Sequence, residues 1–188
     1  SVSGSGTGDG KVYNRFAVSK VVIGDATSKI PADAQFTIKY TVEGDPVEKT
    51  LTMGLGDDKA GVTPRYPGPT TFIIKEVNMP DIPGVVWDSN YTIEGTGVTK
   101  NNDGTYTFTP GNTAFVTLIL TNTANSEPKV DLTVNKVWVG GTLPRPDVTF
   151  ELLRDGEVVD GQNRVLSSGD SSVTWTGLEK VNPATGTD

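Results

Sequence analysis

The chain has 188 residues, a net charge of −7, and neither cysteine nor histidine. That excludes disulfide frameworks, Cys/His zinc sites and any catalytic arrangement built on imidazole or thiol. An acidic balance without a basic cluster argues against nucleic acid as a partner, and no stretch approaches the roughly 18 consecutive apolar residues of a membrane span. Thr and Val together make about a quarter of the residues, interrupted by 22 Gly and 12 Pro, a composition of strands held apart by turns. The expected class is therefore all-β, with length for one large or two modest domains.

Residues 1–12 begin SVSGSGTGDG, too small and polar to offset the entropy of ordering, and read as a flexible linker or an expression remnant. The start lacks a signal-peptide pattern, so the chain reads as a piece of a longer protein. From Tyr13 onward the residues alternate. Phe16, Val18, Lys20 and Val22 share one parity; after the loop GDATSKIPAD, so do Phe36, Ile38, Tyr40 and Val42. Further strands are predicted over 47–53, 70–77, 90–95, 105–110 and 114–123, separated by GLGDDKAG, PDIPG and NNDG. Asp103-Gly104 in the last of these is a hairpin signal. No window keeps apolar residues at spacings of three and four, which confines helix to short turns. After a break at NSEP a second series follows: DLTVNKVWV, PDVTFELLRD, GEVVD, RVLSS and SSVTWTG. The expectation is a first domain over 13–125 and part of a second over 130–188, both immunoglobulin-like β-sandwiches.

The two series start alike. VSKVV at 18–22 and VNKVW at 134–138 each place a lysine on the parity of its apolar neighbours. An unpaired ammonium in an apolar interior is costly, so Lys20 and Lys136 each call for compensation. In the first series Glu76 shares parity with Phe72 and Ile74, and Asn122 with Val116, Leu118 and Leu120. Three strands thus each turn a polar group inward: an amine, a carboxyl and a carboxamide. Plainer readings exist for each alone, since a lysine can snorkel, Glu76 can be an edge residue and Asn122 can begin the turn NTAN.

Together the three are the set needed for a spontaneous amide crosslink. The amine attacks the carboxamide carbon and ammonia leaves. Burial supplies the activation, because loss of hydration disfavours charge on amine and carboxyl alike; the result is a free nucleophile and a protonated acid that can polarise the Asn carbonyl. A packed core also supplies the effective molarity that an inert carboxamide requires.

These motifs resemble those of the collagen-adhesin B-type (Cna B-like) and related immunoglobulin-like repeats of Gram-positive surface adhesins and pilins. FIIKEVNMPDIPG is similar to the family's strand that ends in the acid, VSKVV to its first strand with the reactive lysine, and VTLILTNT to its last strand with the reactive asparagine. The resemblance implies an isopeptide bond between Lys20 and Asn122, assisted by Glu76. The second series is similar to the B-type repeat over 135–180, including its RDGE hairpin. There the resemblance implies that Lys136 is a possible crosslink lysine whose acid and asparagine would lie beyond Asp188, leaving an incomplete sandwich that is either completed by further sequence or ordered by packing against a neighbour or the first domain.

The remaining signals are weaker. Lys39 and Lys75 fall on the polar parity and read as solvated. NPATG at 182–186 reads as a loop and LPRPD at 143–147 as a turn leading into a strand. The acidic loops at Asp57, Asp58 and Asp103 lack the spaced ligands of a calcium loop, so no metal and no cofactor is expected. The leading expectation is a structural stalk module of an adhesin or pilin. It would sit outside the cell, joined to the wall through regions outside this chain, with neighbouring modules as its partners. The crosslink happens once per molecule and is not enzymatic turnover. The alternative is a binding module whose loops recognise a host glycan or matrix protein, with Trp87 as the stacking aromatic.

Overall fold

The computed structural model describes residues 13–180, 182, 184 and 185; the expected linker lies outside them. The chain forms two compact units, one ending at Ser126 and the other starting at Glu127. Among the described residues, helix is confined to the 3-10 turns Thr27–Lys29 and Asp57–Lys59.

The first unit runs through β1 (Tyr13–Ile23), β2 (Gln35–Val42), β3 (Asp45–Gly54), β4 (Gly61–Val62), β5 (Tyr66–Pro67), β6 (Phe72–Val77), β7 (Val85–Trp87), β8 (Thr92–Glu94), β9 (Val98–Lys100), β10 (Tyr106–Phe108) and β11 (Phe115–Ser126). These make two sheets. In one the order is β4-β1-β11-β7, with β5 also on β1 and β8 also on β11; in the other it is β3-β2-β6-β10-β9. The inward parities of both sheets meet in one core that includes Phe16, Val18, Leu118 and Leu120 from the first sheet and Phe36, Ile38, Phe72, Ile74 and Phe108 from the second. Phe16 packs edge-on against Phe72 at 5.0 Å and against Phe108 at 5.5 Å. Burying each such ring contributes about 1.5–3 kcal/mol. This is an immunoglobulin-like sandwich, with its first and last strands lying side by side. β1 and β11 run parallel, with Lys20 beside Leu120 and Val22 beside Asn122.

The first unit departs from the expected strands at the short β4, β5, β7 and β9 and in the partner of β10. Residues 85–87 form β7, which caps the far end of β11 at Ala124, Asn125 and Ser126; three residues are too few to show a period of two. The NNDG turn joins β9 to β10, Lys100 facing Tyr106, whereas the expected partner strand NYTIEG became β8 and crossed to the other sheet. Periodicity identifies a strand but carries no information on which sheet receives it.

The second unit comprises β12 (Lys129–Asn135), β13 (Val148–Phe150), β14 (Leu153–Arg154), β15 (Glu157–Val158), β16 (Arg164–Leu166) and β17 (Ser172–Glu179). They pair as ribbons, β12 with β17, β13 with β16 and β14 with β15. Leu166, Val173 and Trp175 are its buried centre, with Val134, Val148, Phe150, Leu152 and Leu178 packed around them. Trp175 Nε1 donates to the Gln162 carbonyl at 2.5 Å. The β14–β15 hairpin turns on Asp155 and Gly156, both left-handed at φ 52° and 81°, the two positive values that a type I′ turn needs to match strand twist. The strand expected to carry on through Trp138 stops at Asn135.

Candidate functional site

β1 and β11 bring Lys20 and Asn122 to the same face of one sheet. Their register offset of two residues leaves roughly 8 Å between Cα atoms, within reach of a lysine stem. Glu76 comes from the opposite sheet, on β6, where it faces Ile38 of β2. The Lys20 ammonium lies 3.4 Å from Glu76 Oε2, with both side chains almost wholly buried at 0% and 3% exposure. Asn122, itself 2% exposed, donates from Nδ2 to Glu76 Oε1 at 2.6 Å. One carboxyl thus holds the amine on one oxygen and the carboxamide on the other.

Two features make this cluster reactive in character. Burial pushes the Lys20 amine down from 10.5 to about 8, although the neighbouring Glu76 opposes the shift; a neutral, nucleophilic amine is therefore accessible near physiological pH. Asn122 Oδ1 is buried without a hydrogen-bond partner, which costs about 1–3 kcal/mol in a finished core. Turning the carboxamide over would set that oxygen against Glu76 Oε1. That second orientation is the one that brings the carbonyl onto the acid.

Two further residues complete the surroundings. The Phe36 ring lies 4.5 Å from Lys20 Nζ, so an aromatic face meets whichever charge the amine retains. The Glu76 main-chain N–H donates to the Tyr91 hydroxyl at 3.2 Å. Phe36 was already legible as a core residue of β2, but nothing local in the sequence marks Tyr91, because its contact spans two strands on different sheets.

Lys136 is placed differently. It follows the last residue of β12, its main-chain N–H donates to Ser171 O at 2.8 Å, and its Nζ lies 4.6 Å from the centre of the Trp138 ring. Arg145 approaches the same ring at 5.1 Å. Lys39 and Lys75 lie on the outer face, where both reach Glu48, at 3.6 and 2.8 Å. Trp87 packs edge-on against Phe36 at 5.8 Å and gives its indole N–H to the Pro80 carbonyl, so its ring is core packing. Asp57 accepts from Ser19 Oγ, and Asp103 from the main chain and hydroxyl of Thr105. Among the described residues no acidic group gathers into a metal-binding cluster. In the NPATG segment, Asn182 donates to Asp155 Oδ2 and accepts from the Ala184 N–H; its Pro183 and Gly186 lie outside the described residues.

No protein-family model and no curated protein matches the chain. Among solved structures it is similar to a Mobiluncus mulieris adhesin containing disulfide, isopeptide and ester crosslinks, with 18% identity and a TM-score of 0.44 over 59% of this chain and 41% of that one. It is also similar to a pilus-presented adhesin, at 15% identity and TM-score 0.35, covering 62% of this chain and 28% of that one. A single B repeat of the Staphylococcus aureus collagen-binding surface protein matches at 17% identity and TM-score 0.31, over 92% of this chain and 79% of that one. The chain thus spans less than half the length of the first two of these structures.

Proposed function

We propose that the first unit is a structural module of a Gram-positive cell-surface adhesin or pilin, stiffened by an amide that the folded protein forms once between Lys20 Nζ and Asn122 Cγ. The convergence of Lys20 and Asn122 on the single buried carboxyl of Glu76 carries this reading. An unlinked core gains little from three polar groups, since a buried ion pair seldom outweighs its desolvation. A reaction that consumes the amine and the carboxamide removes that cost.

Lys20 passes its ammonium proton to the Glu76 carboxylate 3.4 Å away, and the lone pair of the free amine attacks Asn122 Cγ. A C–N bond forms and the carbonyl electrons move to Oδ1, which the protonated Glu76 carboxyl stabilises. Glu76 then passes the proton lost by the attacking nitrogen to Nδ2. The C–Nδ2 bond breaks, ammonia leaves, and a secondary amide remains beside Glu76, which keeps the proton it took from Lys20.

Mechanical logic connects this bond to the role. It joins β1 to β11, the first and last strands of the unit, so a pull on the ends cannot separate those strands until a covalent bond breaks. It also closes a loop of roughly 100 residues, which limits the unfolded ensemble as a disulfide does, by about 4–5 kcal/mol. Such a module acts outside the cell, beside other modules of the same surface protein, and performs no turnover. Intact-mass spectrometry tests the proposal: the wild-type chain should weigh one ammonia less than its sequence, and Lys20→Ala or Glu76→Ala should restore the full mass. A wild-type chain at its full sequence mass overturns it.

A further inference from the structure

The hydrogen bonding around Glu76 contains an irregularity that the crosslinking chemistry above does not use. β6 and β10 pair antiparallel from Phe72↔Phe108 to Ile74↔Tyr106. Continued by two residues, that register sets the Glu76 N–H opposite the Gly104 carbonyl. Instead of a direct bond, the Tyr91 hydroxyl stands between them, accepting from the Glu76 N–H at 3.2 Å and donating to Gly104 O at 3.0 Å. One hydroxyl therefore replaces a ladder bond at the residue that bears the acid.

Tyr91 also belongs to the other sheet. It directly precedes β8, which pairs with β11 as Ile93↔Leu120 and Thr92↔Thr121; the next step of that register places Tyr91 opposite Asn122. Its main chain is held as well, since the Tyr106 hydroxyl donates to the Tyr91 carbonyl at 2.8 Å and the two rings lie 5.6 Å apart. The residue that neighbours the carboxamide on one sheet thus grips the backbone of the acid on the other.

We propose that Tyr91 is a positioning residue for amide formation, tying the strand that carries Glu76 to the strand that carries Asn122. Without the hydroxyl, the Glu76 N–H and the Gly104 carbonyl must close on each other or remain unpaired. Either change moves the acid away from the amine and carboxamide it bridges. A displacement well under 1 Å is felt in such a reaction, because its rate depends on near-attack geometry.

This inference rests on the crosslink proposed above, and the test separates the two. Chain recovered unfolded in guanidinium and refolded by dilution is followed by intact mass for loss of ammonia in wild type, Tyr91→Phe and Tyr66→Phe. The last is a matched control, because it removes a hydroxyl bonded to Tyr40 at 2.7 Å and leaves Glu76 untouched. Tyr91→Phe should react about ten-fold more slowly, with Tyr66→Phe close to wild type. Equal rates in wild type and Tyr91→Phe, or equal slowing in both variants, overturn the role of Tyr91 while the crosslink stands. A wild type that keeps its ammonia overturns the crosslink itself, and Tyr91's part in it. A second measurement avoids any failure of Tyr91→Phe to refold. In the unlinked Asn122→Ala protein, 3-fluorotyrosine at position 91 keeps the ring and hydroxyl but weakens the oxygen as an acceptor. It should shift the Glu76 carboxyl carbon resonance, and an unmoved resonance overturns the proposal.

Discussion

Lys20 and Lys136 occupy the same local pattern, a lysine set among valines near the start of a strand series, yet the two units use them differently. In the first unit β1 continues past the lysine, lies along β11 over nine residue pairs, and faces a second sheet that supplies Glu76. In the second unit β12 ends one residue before Lys136, and the amine lies over the Trp138 ring. A buried amine needs partners delivered by other strands. A half-exposed one can rest its charge on a nearby aromatic face and keep part of its hydration. The motif therefore sets only the inward direction of the lysine, and the strands around it decide its chemistry.

The difference can be broken most sharply by removing each lysine. Lys20→Ala should lower the stability of the first unit by about 4–5 kcal/mol through loss of the proposed loop closure, while Lys136→Ala should cost the second unit under about 1 kcal/mol. Calorimetry with hydrogen exchange assigned to 13–126 and 127–180 separates the two transitions, and similar losses in both units would erase the distinction.

The cores offer the next comparison. Trp175→Ala and Phe72→Ala each remove a fully buried aromatic, at about 3–5 kcal/mol. The second unit gathers around Leu166, Val173 and Trp175, so it should lose its protected amides altogether. The first unit should persist with a lowered melting point, held by its remaining aromatics and the proposed amide. Survival of protection in Trp175→Ala would show that the ribbons are supported by something other than this centre.

A smaller effect should appear in the pH dependence. In Asn122→Ala, which cannot form the amide, Lys20 titrates at about 8 when folded and 10.5 when unfolded. Between those values the unfolded chain binds the extra proton, so stability rises with pH across the window and is lost as pH falls back through about 8. Wild type linked as proposed has no amine to titrate there. The difference between the two proteins in urea titrations at pH 7.5 and 10.5 should therefore narrow toward high pH; a constant difference would mean that the amine is not desolvated.

The smallest expected effect is common to both units. Gly104 and Gly156 are left-handed, at φ 85° and 81°, with open space where a Cβ would go. Ala at either site should cost about 1 kcal/mol from backbone strain alone, read as similar shifts in the urea midpoints of their own units. A much larger loss for Gly104→Ala would indicate that its turn also supports Glu76 through Tyr91.

Much of this protein is written locally. Alternation along residues 16–22, 36–42 and 114–123 is enough for strands, because side chains on a pleated backbone must face opposite ways; the same parity marks Lys20, Glu76 and Asn122 as inward-facing before any fold is known. The Asp-Gly pairs likewise mark both hairpin turns, Asp155-Gly156 through two left-handed residues and Asp103-Gly104 through its left-handed glycine alone. Pairing is not local. That β8 joins β11 and leaves the NNDG hairpin to β9, that β12 stops short of Lys136, and that a hydroxyl from Tyr91 reaches the Glu76 backbone all depend on which strands meet. Those meetings are settled by burial of whole faces and by competition among partners far apart in the chain. The sequence by itself thus determined which groups turn inward, and only the tertiary structure decided which of them touch, because contact between an amine, a carboxyl and a carboxamide on three strands is a property of their packing.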